Sequence, residues 1–158
     1  PLSATNPLDD DTDDDGLTDG FEDANLNGAA ENILGGTGTA GSGETDGAML
    51  DTDGDGCQDG TESGLTAPQG TGTDLGVFMA DEVPAITTNP LDVDTDDDGF
   101  FDGAEDADCD GGIDPGETDP SGDPSILRND LISLLSEVGT LKPAIFIGIG
   151  VNKYFYIK

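Results

Sequence analysis

The chain has 158 residues, of which 36 are acidic and only 4 are basic, for a formal net charge of −32. Every basic residue follows position 127, so nearly all of the acidic residues lie in a region without a basic side chain. This charge excludes a nucleic-acid-binding surface, because binding to phosphates requires basic side chains. Low hydrophobicity at such a charge predicts either a disordered chain or a fold that bound cations organise.

The first predicted element is an Asp-rich loop that follows the segment Thr5–Asp9. A calcium-binding loop of 12 residues takes carboxylates from positions 1, 3 and 5 and turns at a glycine at position 6. It also uses the carbonyl of position 7 and, often through water, position 9, and it closes with a bidentate Glu at position 12. The chain matches this pattern here, and the predicted ligands are Asp11, Asp13, Asp15, Leu17, Asp19 and Glu22.

A degenerate loop follows at once. Its predicted ligands at positions 1, 3, 5 and 9 are Asp23, Asn25, Asn27 and Glu31. Position 12 is Leu34, which cannot bind a metal ion, and a Gly- and Thr-rich insertion around Asn32–Ser42 is typical of a surface excursion. Comparison with a later repeat of the sequence indicates that Glu44 supplies the missing carboxylate. The alternative is a loop that holds no ion.

The second complete loop has the predicted ligands Asp51, Asp53, Asp55, Cys57, Asp59 and Glu62. A linker, Gly64–Thr88, comes next. Its apolar segments Val77–Met79 and Val83–Ile86 predict a short pair of strands that covers a small apolar cluster. The segment that ends the linker, Thr88–Asp92, repeats the sequence of Thr5–Asp9, which reveals an internal repeat.

The second copy of the repeat contains two loops with no gap between them. The predicted ligands of the third loop are Asp94, Asp96, Asp98, Phe100, Asp102 and Glu105. Those of the fourth are Asp106, Asp108, Asp110, Gly112, Asp114 and Glu117. Both copies end in Gly-Glu-Thr-Asp, at residues 43–46 and 116–119. Four matches in one chain exclude an accidental pattern, so we expect four Ca²⁺ sites and a fifth at the degenerate loop.

Calcium fits these loops better than other metal ions do. Mg²⁺ demands tight octahedral geometry and gives up water reluctantly, whereas the loops offer a bidentate Glu and up to about seven oxygens. Transition metals favour His or thiolate ligands, and the chain has no His. The two cysteines, Cys57 and Cys109, are compatible with a disulfide or with two buried thiols, and an oxidising location would favour the disulfide.

The last predicted elements lie in an apolar segment, residues 125–158, that holds all the basic side chains. Ser125–Val138 places its apolar residues on one face of a helix, and Ala144–Ile149 and Lys153–Ile157 favour a strand or a hairpin. No apolar run is long enough for a membrane-spanning helix. The predicted fold is therefore mostly irregular, with calcium-organised loop repeats over residues 1–124 and a short C-terminal α-helix and β-strand or hairpin over residues 125–158.

These loops resemble thrombospondin type 3 repeats in their bacterial form, which combines D-x-D-x-D-G-x-x-D-G-x-E-D units with G-E-T-D-P linkers. The resemblance covers about residues 5–120 and fails at the insertion and at Leu34. An EF-hand is a poorer match, because Glu105 ends one loop and Asp106 begins the next, which leaves no room for a helix. The resemblance implies an extracellular, calcium-wrapped chain of the kind used in adhesins, surface stalks and spacers.

The sequence thus predicts an extracellular or cell-surface structural protein, a subunit of a filament or adhesin stalk that Ca²⁺ makes rigid. We expect copies of the chain to associate through residues 125–158, which carry strand-forming apolar residues and the basic side chains. The alternative is a monomeric dockerin-like binding module or a spacer of a larger surface protein. An enzyme is not expected, since the carboxylates belong to the loops and no His can act as a general base.

Overall fold

A computed structural model describes residues 4–122. Its regular elements are short: helix α1 at Asp19–Glu22, a 3₁₀ helix at Thr39–Gly41, helix α2 at Asp59–Glu62 and helix α3 at Asp102–Glu105. This confirms the predicted irregular, loop-rich fold. Residues 4–122 contain no β-strand, so the strand pair predicted in the linker is wrong. The helix and the strand or hairpin predicted over residues 125–158 lie outside the described residues.

Each α-helix is a single turn that occupies positions 9 to 12 of one of the first three loops. An Asp at the first position of the helix is favourable, because the amino end of a helix carries partial positive charge. The same Asp holds the start of its loop. In the first loop, both the backbone N–H and the hydroxyl of Thr12 donate to the Asp19 carboxylate, each at 2.8 Å. The second and third loops repeat this arrangement, which closes each loop into a ring.

The glycine at position 6 turns each complete loop back toward its first residue. Gly16 has a φ of +95°, a left-handed conformation that favours glycine, and its N–H donates to the Asp11 carboxylate at 3.1 Å. The corresponding glycines of the other three loops also have positive φ and bond the Asp at position 1 in the same way. The first carboxylate of each loop is thereby fixed over the turn.

The linker, residues 64–88, lies across the first two loops instead of pairing as strands. The backbone N–H of Gln69 donates to the carbonyl of Gly16 at 2.8 Å. Farther along, the N–H of Met79 donates to the side-chain oxygen of Gln58 at 2.9 Å. The linker therefore uses several of its backbone donors to hold the loops instead of forming a strand ladder.

The interior of the described region is polar. Leu17, Cys57 and Ile86 are its buried hydrophobic residues. The largest side chains with under 2% exposure are, apart from Leu17 and Pro90, Glu22, Thr45, Asp11, Asp15, Asp59 and Asp102. Apolar burial stabilises a fold in proportion to the area removed from water. So small an apolar core leaves most of the stabilisation to polar contacts and to whatever compensates the buried carboxylates.

A disulfide joins Cys57 to Cys109, whose Cα atoms lie 5.1 Å apart. It links position 7 of the second loop to position 4 of the fourth across 52 residues. Of the two states that the sequence allowed, the structure therefore has the bonded one.

Within residues 4–122 there is no helix of the length and hydropathy that a membrane crossing requires.

Candidate metal centres

The carboxylates at positions 1, 3 and 5 converge in the first three loops. In the first loop, Asp11, Asp13 and Asp15 each place an oxygen within 4.8 Å of the others. A Ca²⁺ ion binds oxygens at about 2.3–2.6 Å, so two ligands on opposite sides of it lie about 5 Å apart. The same convergence occurs at Asp51, Asp53 and Asp55, and at Asp94, Asp96 and Asp98. The predicted ligand triads of these loops are thus brought together.

The fourth loop gathers a different set. Its cluster consists of Asp106, Asp108 and Glu117, and Asp110 is not part of it. The Glu117 carboxylate is held by two backbone N–H groups, from Ala107 at 3.0 Å and from Asp114 at 2.7 Å. The Asp at position 9 therefore contributes its backbone to positioning the glutamate, and the predicted position 12 ligand joins the cluster directly.

The glutamates at position 12 of the first three loops are buried and share one arrangement. Glu22 accepts a hydrogen bond from the hydroxyl of Thr45, Glu62 from Thr88 and Glu105 from Thr118, at 2.6–3.0 Å. In each case the second oxygen, Oε2, is buried and accepts no hydrogen bond from the described residues. The glutamates are therefore anchored through one oxygen and leave the other oxygen available for a metal ion.

Sequence reasoning missed these threonines. Thr45 and Thr118 belong to the two Gly-Glu-Thr-Asp segments, which had been recognised only as the ends of the repeat. The threonines at position 2 of the first three loops were missed as well. A Thr at position 2 recurs together with an Asp at position 9 in all three loops, and this recurrence was the signal that could have identified these threonines.

The residue at position 7 donates its backbone N–H within the loop, and the Asp at position 9 of the first three loops accepts hydrogen bonds from a Thr. The N–H groups of Leu17, Cys57, Phe100 and Gly112 each donate to the Asp at position 5 of their own loop, at 2.7–3.0 Å. This bond orients the position 5 carboxylate. The Asp residues at position 9 of the first three loops face the Thr at position 2 and lie outside the triad of their own loop.

The degenerate loop has the same local shape as the complete ones. The N–H groups of Asn27 and Gly28 donate to the Asp23 carboxylate at 3.0 and 2.6 Å. The Glu44 carboxylate accepts the N–H of Asn25 at 3.2 Å and that of Glu31 at 3.0 Å. Glu117 is held by the fourth loop in a similar way. Among the described residues, however, no group of carboxylates that could hold a metal ion includes Asp23, Glu31 or Glu44. Leu34, at the nominal position 12, is almost fully exposed.

Burial among like charges raises the pKa of several loop carboxyl groups. Desolvation, followed by the charge of a nearby Asp, raises the pKa of Glu22 and of Glu62 to about 10. The same two causes raise the pKa of Asp15 to about 8. For Asp59 desolvation again comes first and raises its pKa to about 7. Residues 4–122 contain no Lys, Arg or His, so no side chain of this region offsets these charges.

One further cluster combines residues of two loops. Asp15 and Glu22 of the first loop lie with Asp59 of the second, with an oxygen from each within 4.8 Å of the others, and all three residues are fully buried. The contact is fixed by the N–H of Gly60, which donates to Asp15 Oδ2 at 2.9 Å. The sequence pattern had assigned these residues to two separate sites.

No family model, curated protein or solved structure matches this chain.

Proposed function

We propose that this chain is an extracellular structural protein whose fold is organised by bound Ca²⁺. The observation that carries the proposal is the trio of buried glutamates, Glu22, Glu62 and Glu105, each with an oxygen that accepts no hydrogen bond from the described residues. A buried and uncompensated charge costs about 3–5 kcal/mol. A hard divalent cation with flexible coordination matches both the charge and the oxygen ligands of these loops.

The disulfide supports an extracellular location, because such bonds persist in oxidising environments. The likeness of the loops to thrombospondin type 3 repeats supports the same location and a structural role. In such a protein the bound ions act as the core, because metal-binding energy is folding energy when the site does not exist in the unfolded chain.

Chelation tests the calcium half of this proposal. Removal of Ca²⁺ at pH 8 should expand the chain, since about 30 like charges would then repel one another. The measurements are the radius of gyration by X-ray scattering and the rate of proteolysis, with the same chain in excess Mg²⁺ as the control. A chelated chain that stays compact would disprove calcium organisation, and equal protection by Mg²⁺ would disprove the choice of ion.

The assembly half of the proposal concerns residues 125–158. These residues carry the basic side chains, while the region before them carries almost all of the acidic ones. Contact between unlike patches on successive copies gives rings or open filaments rather than closed dimers. We therefore assign this segment to head-to-tail association of copies of the chain.

Sedimentation and negative-stain images of the full chain with Ca²⁺ test the assembly. The expected result is an oligomer or filament that a chain ending at residue 124 does not form. A variant with Arg128, Lys142, Lys153 and Lys158 changed to Gln serves as the matched control and separates charge from apolar pairing. A full chain that remains monomeric at high concentration would favour the dockerin-like module or the spacer instead.

A further inference from the structure

The third loop exposes two adjacent aromatic side chains, Phe100 and Phe101, at its positions 7 and 8. Phe100 is 64% exposed and Phe101 is 55% exposed. They end a run of five consecutive exposed residues that begins at Asp97. A single apolar residue on a surface needs no explanation. Two adjacent aromatic rings do, because aromatic side chains supply much of the binding energy of protein interfaces.

The linker, residues 64–88, covers the corresponding part of the first loop. Leu17, at position 7, is fully buried. A Cβ added at Gly16 would collide with the ring of Phe78, so the linker lies directly on the turn of this loop. A Cβ added at Gly99, the equivalent glycine of the third loop, would meet no atom within 4 Å. Among the described residues, the third loop therefore has no cover like the one that the linker gives the first.

The same linker also covers the second loop. Cys57, at position 7, and Gln58, at position 8, are both buried. The Gln58 side chain donates to the carbonyl of Val77 and accepts the N–H of Met79, each at 2.9 Å. Phe101 holds this position in the third loop, and its apolar ring can form no such hydrogen bonds. An apolar partner suits the third loop instead.

The surface around the two rings is acidic. Asp97, at position 4, is exposed and lies outside the carboxylate triad of its loop. Residues 1–124 hold 34 acidic and no basic residues, so five divalent ions would leave them a charge of about −24. A partner that matches this surface should therefore combine aromatic or apolar side chains with basic ones.

The chain itself contains a stretch of this composition. Residues 153–158 read Lys-Tyr-Phe-Tyr-Ile-Lys, which places three aromatic residues and an isoleucine between two lysines. Aromatic rings pair favourably with one another and with cations, and the lysines complement exposed carboxylates. Residues 125–158 can span up to about 110 Å when extended, so this stretch can reach a neighbouring copy.

We propose that Phe100 and Phe101 of one copy form the surface that receives residues 153–158 of a second copy. The proposal rests on the head-to-tail association given above and names its acceptor. The rings of the two segments pack together, and the two lysines pair with the acidic residues around the third loop. Each copy then receives one segment and donates one, so the contact can repeat along an open assembly.

Photo-cross-linking of the full chain tests this contact directly. Phe100 is replaced by the photoreactive analogue p-benzoylphenylalanine, which keeps the backbone N–H that donates to Asp98. Isotopically light and heavy chains are mixed in chelator, loaded with Ca²⁺ and irradiated. The cross-linked peptides should join position 100 to residues 153–158, and they should include products that combine a light with a heavy chain.

The other outcomes separate this contact from the assembly as a whole. Products within single chains alone would overturn the proposal, because the chain would then cover its own third loop. Products that map elsewhere in an assembled sample would overturn the acceptor surface and leave the head-to-tail association intact. A full chain that stays monomeric with Ca²⁺ would overturn the association itself.

A matched pair of variants gives a second readout. Phe100→Ser and Phe21→Ser each remove one exposed aromatic ring from a loop of the full chain, since Phe21 is 50% exposed. Sedimentation with Ca²⁺ should show association weakened about tenfold or more in F100S and unchanged in F21S, because aromatic anchors carry much of an interface's binding energy. Thermal unfolding verifies that both variants fold. Equal association of two folded variants would contradict the proposal, and if F100S fails to fold the cross-links still decide.

Discussion

The first and third loops begin with the same six residues, Asp-Thr-Asp-Asp-Asp-Gly, yet the structure places them in different environments. In the first loop Asp15 and the following Leu17 are fully buried. In the third loop Asp98 is exposed and the following Phe100 is 64% exposed. Both loops keep the same ring of hydrogen bonds. The difference shows that the motif determines the shape of a loop, while its neighbours determine its burial and its charge balance.

The linker and the second loop cause this difference. The hydroxyl of Thr73 donates to the Asp11 carboxylate, and the backbone N–H of Asp74 donates to Asp14. On the other side, Gly60 brings the second loop against Asp15. The first loop therefore lies between two other segments of the chain. No comparable cover lies over Phe100 among the described residues.

The largest expected effect comes from removing the disulfide, which ties the second loop to the fourth. Cys57→Ser with Cys109→Ser should cost about 4 kcal/mol of unfolding free energy in the chain-entropy model for a loop of this size. Hydrogen exchange should rise more in residues 94–122 than in the first loop, because the linker still covers the latter. Thermal unfolding in Ca²⁺ and exchange by mass spectrometry measure the two effects. A uniform rise in exchange would contradict this ranking.

The contact between the first two loops can be broken with a single methyl group. A Cβ at Gly60 would lie 2.0 Å from the carbonyl oxygen of Asp15, so Gly60→Ala must push the loops apart. Overpacking of this kind costs about 1–3 kcal/mol. Gly20→Ala is the matched control at the same helix position, since its Cβ would meet nothing nearer than Leu26 at 3.8 Å. The control should be neutral or slightly stabilising, because Ala favours helix over Gly by about 1 kcal/mol.

Thermal unfolding of the two variants with Ca²⁺ checks this expectation. The G60A chain should lose stability and G20A should not. Equal losses would mean that the close approach at Gly60 has no special role in joining the loops.

The two identical motifs can also be compared directly at position 1. Asp11→Asn changes a fully buried carboxylate that also receives the Thr73 hydroxyl, whereas Asp94→Asn changes a half-buried one without that partner. We expect D11N to lower the unfolding free energy by about 1 kcal/mol more than D94N, since losing a buried hydrogen-bond partner costs about 1–3 kcal/mol. Calcium titrations followed by thermal unfolding measure both. A larger loss in D94N would reverse the comparison.

The loop shapes could be predicted from the sequence because they depend on local rules. A glycine at position 6 and carboxylates at positions 1, 3 and 5 form their hydrogen bonds within a dozen residues. The contact of Glu44 with the degenerate loop, through the N–H groups of Asn25 and Glu31, agrees with the alignment of the repeats.

Contacts between loops could not be predicted in this way. The pairing of Asp15 with Gly60 joins residues 45 positions apart, and nothing in either motif specifies the partner. The strand pair predicted in the linker is wrong for a related reason. Its short apolar segments are typical of strands, but backbone donors such as that of Met79 bond to side chains and carbonyls of the loops.

The last comparison concerns pH and separates the second loop from the third. A carboxyl group with a higher pKa in the folded chain favours folding only while it is protonated. For Glu62 this contribution to the stability of the fold is present at pH values below the usual pKa of 4.5, and it is lost as the pH rises toward the folded pKa of about 10. Burial also raises the pKa of Glu105. The loop of Glu105 is less buried than the second loop, since Asp98 and Phe100 are exposed.

Metal-free protein should therefore be expanded at pH 8 and contract on acidification, whereas calcium-loaded protein should be compact at pH 8. Glu62→Gln imitates the protonated side chain, so it should move the midpoint of contraction of the metal-free chain to higher pH. Glu105→Gln should move it less, because fewer of the surrounding groups in its loop are buried. With Ca²⁺ both variants should instead lose stability, since each removes a proposed ligand. The hydrodynamic radius against pH, with and without Ca²⁺, measures all four cases. If the two substitutions shifted the metal-free midpoint equally, burial of the second loop would not be what distinguishes it from the third.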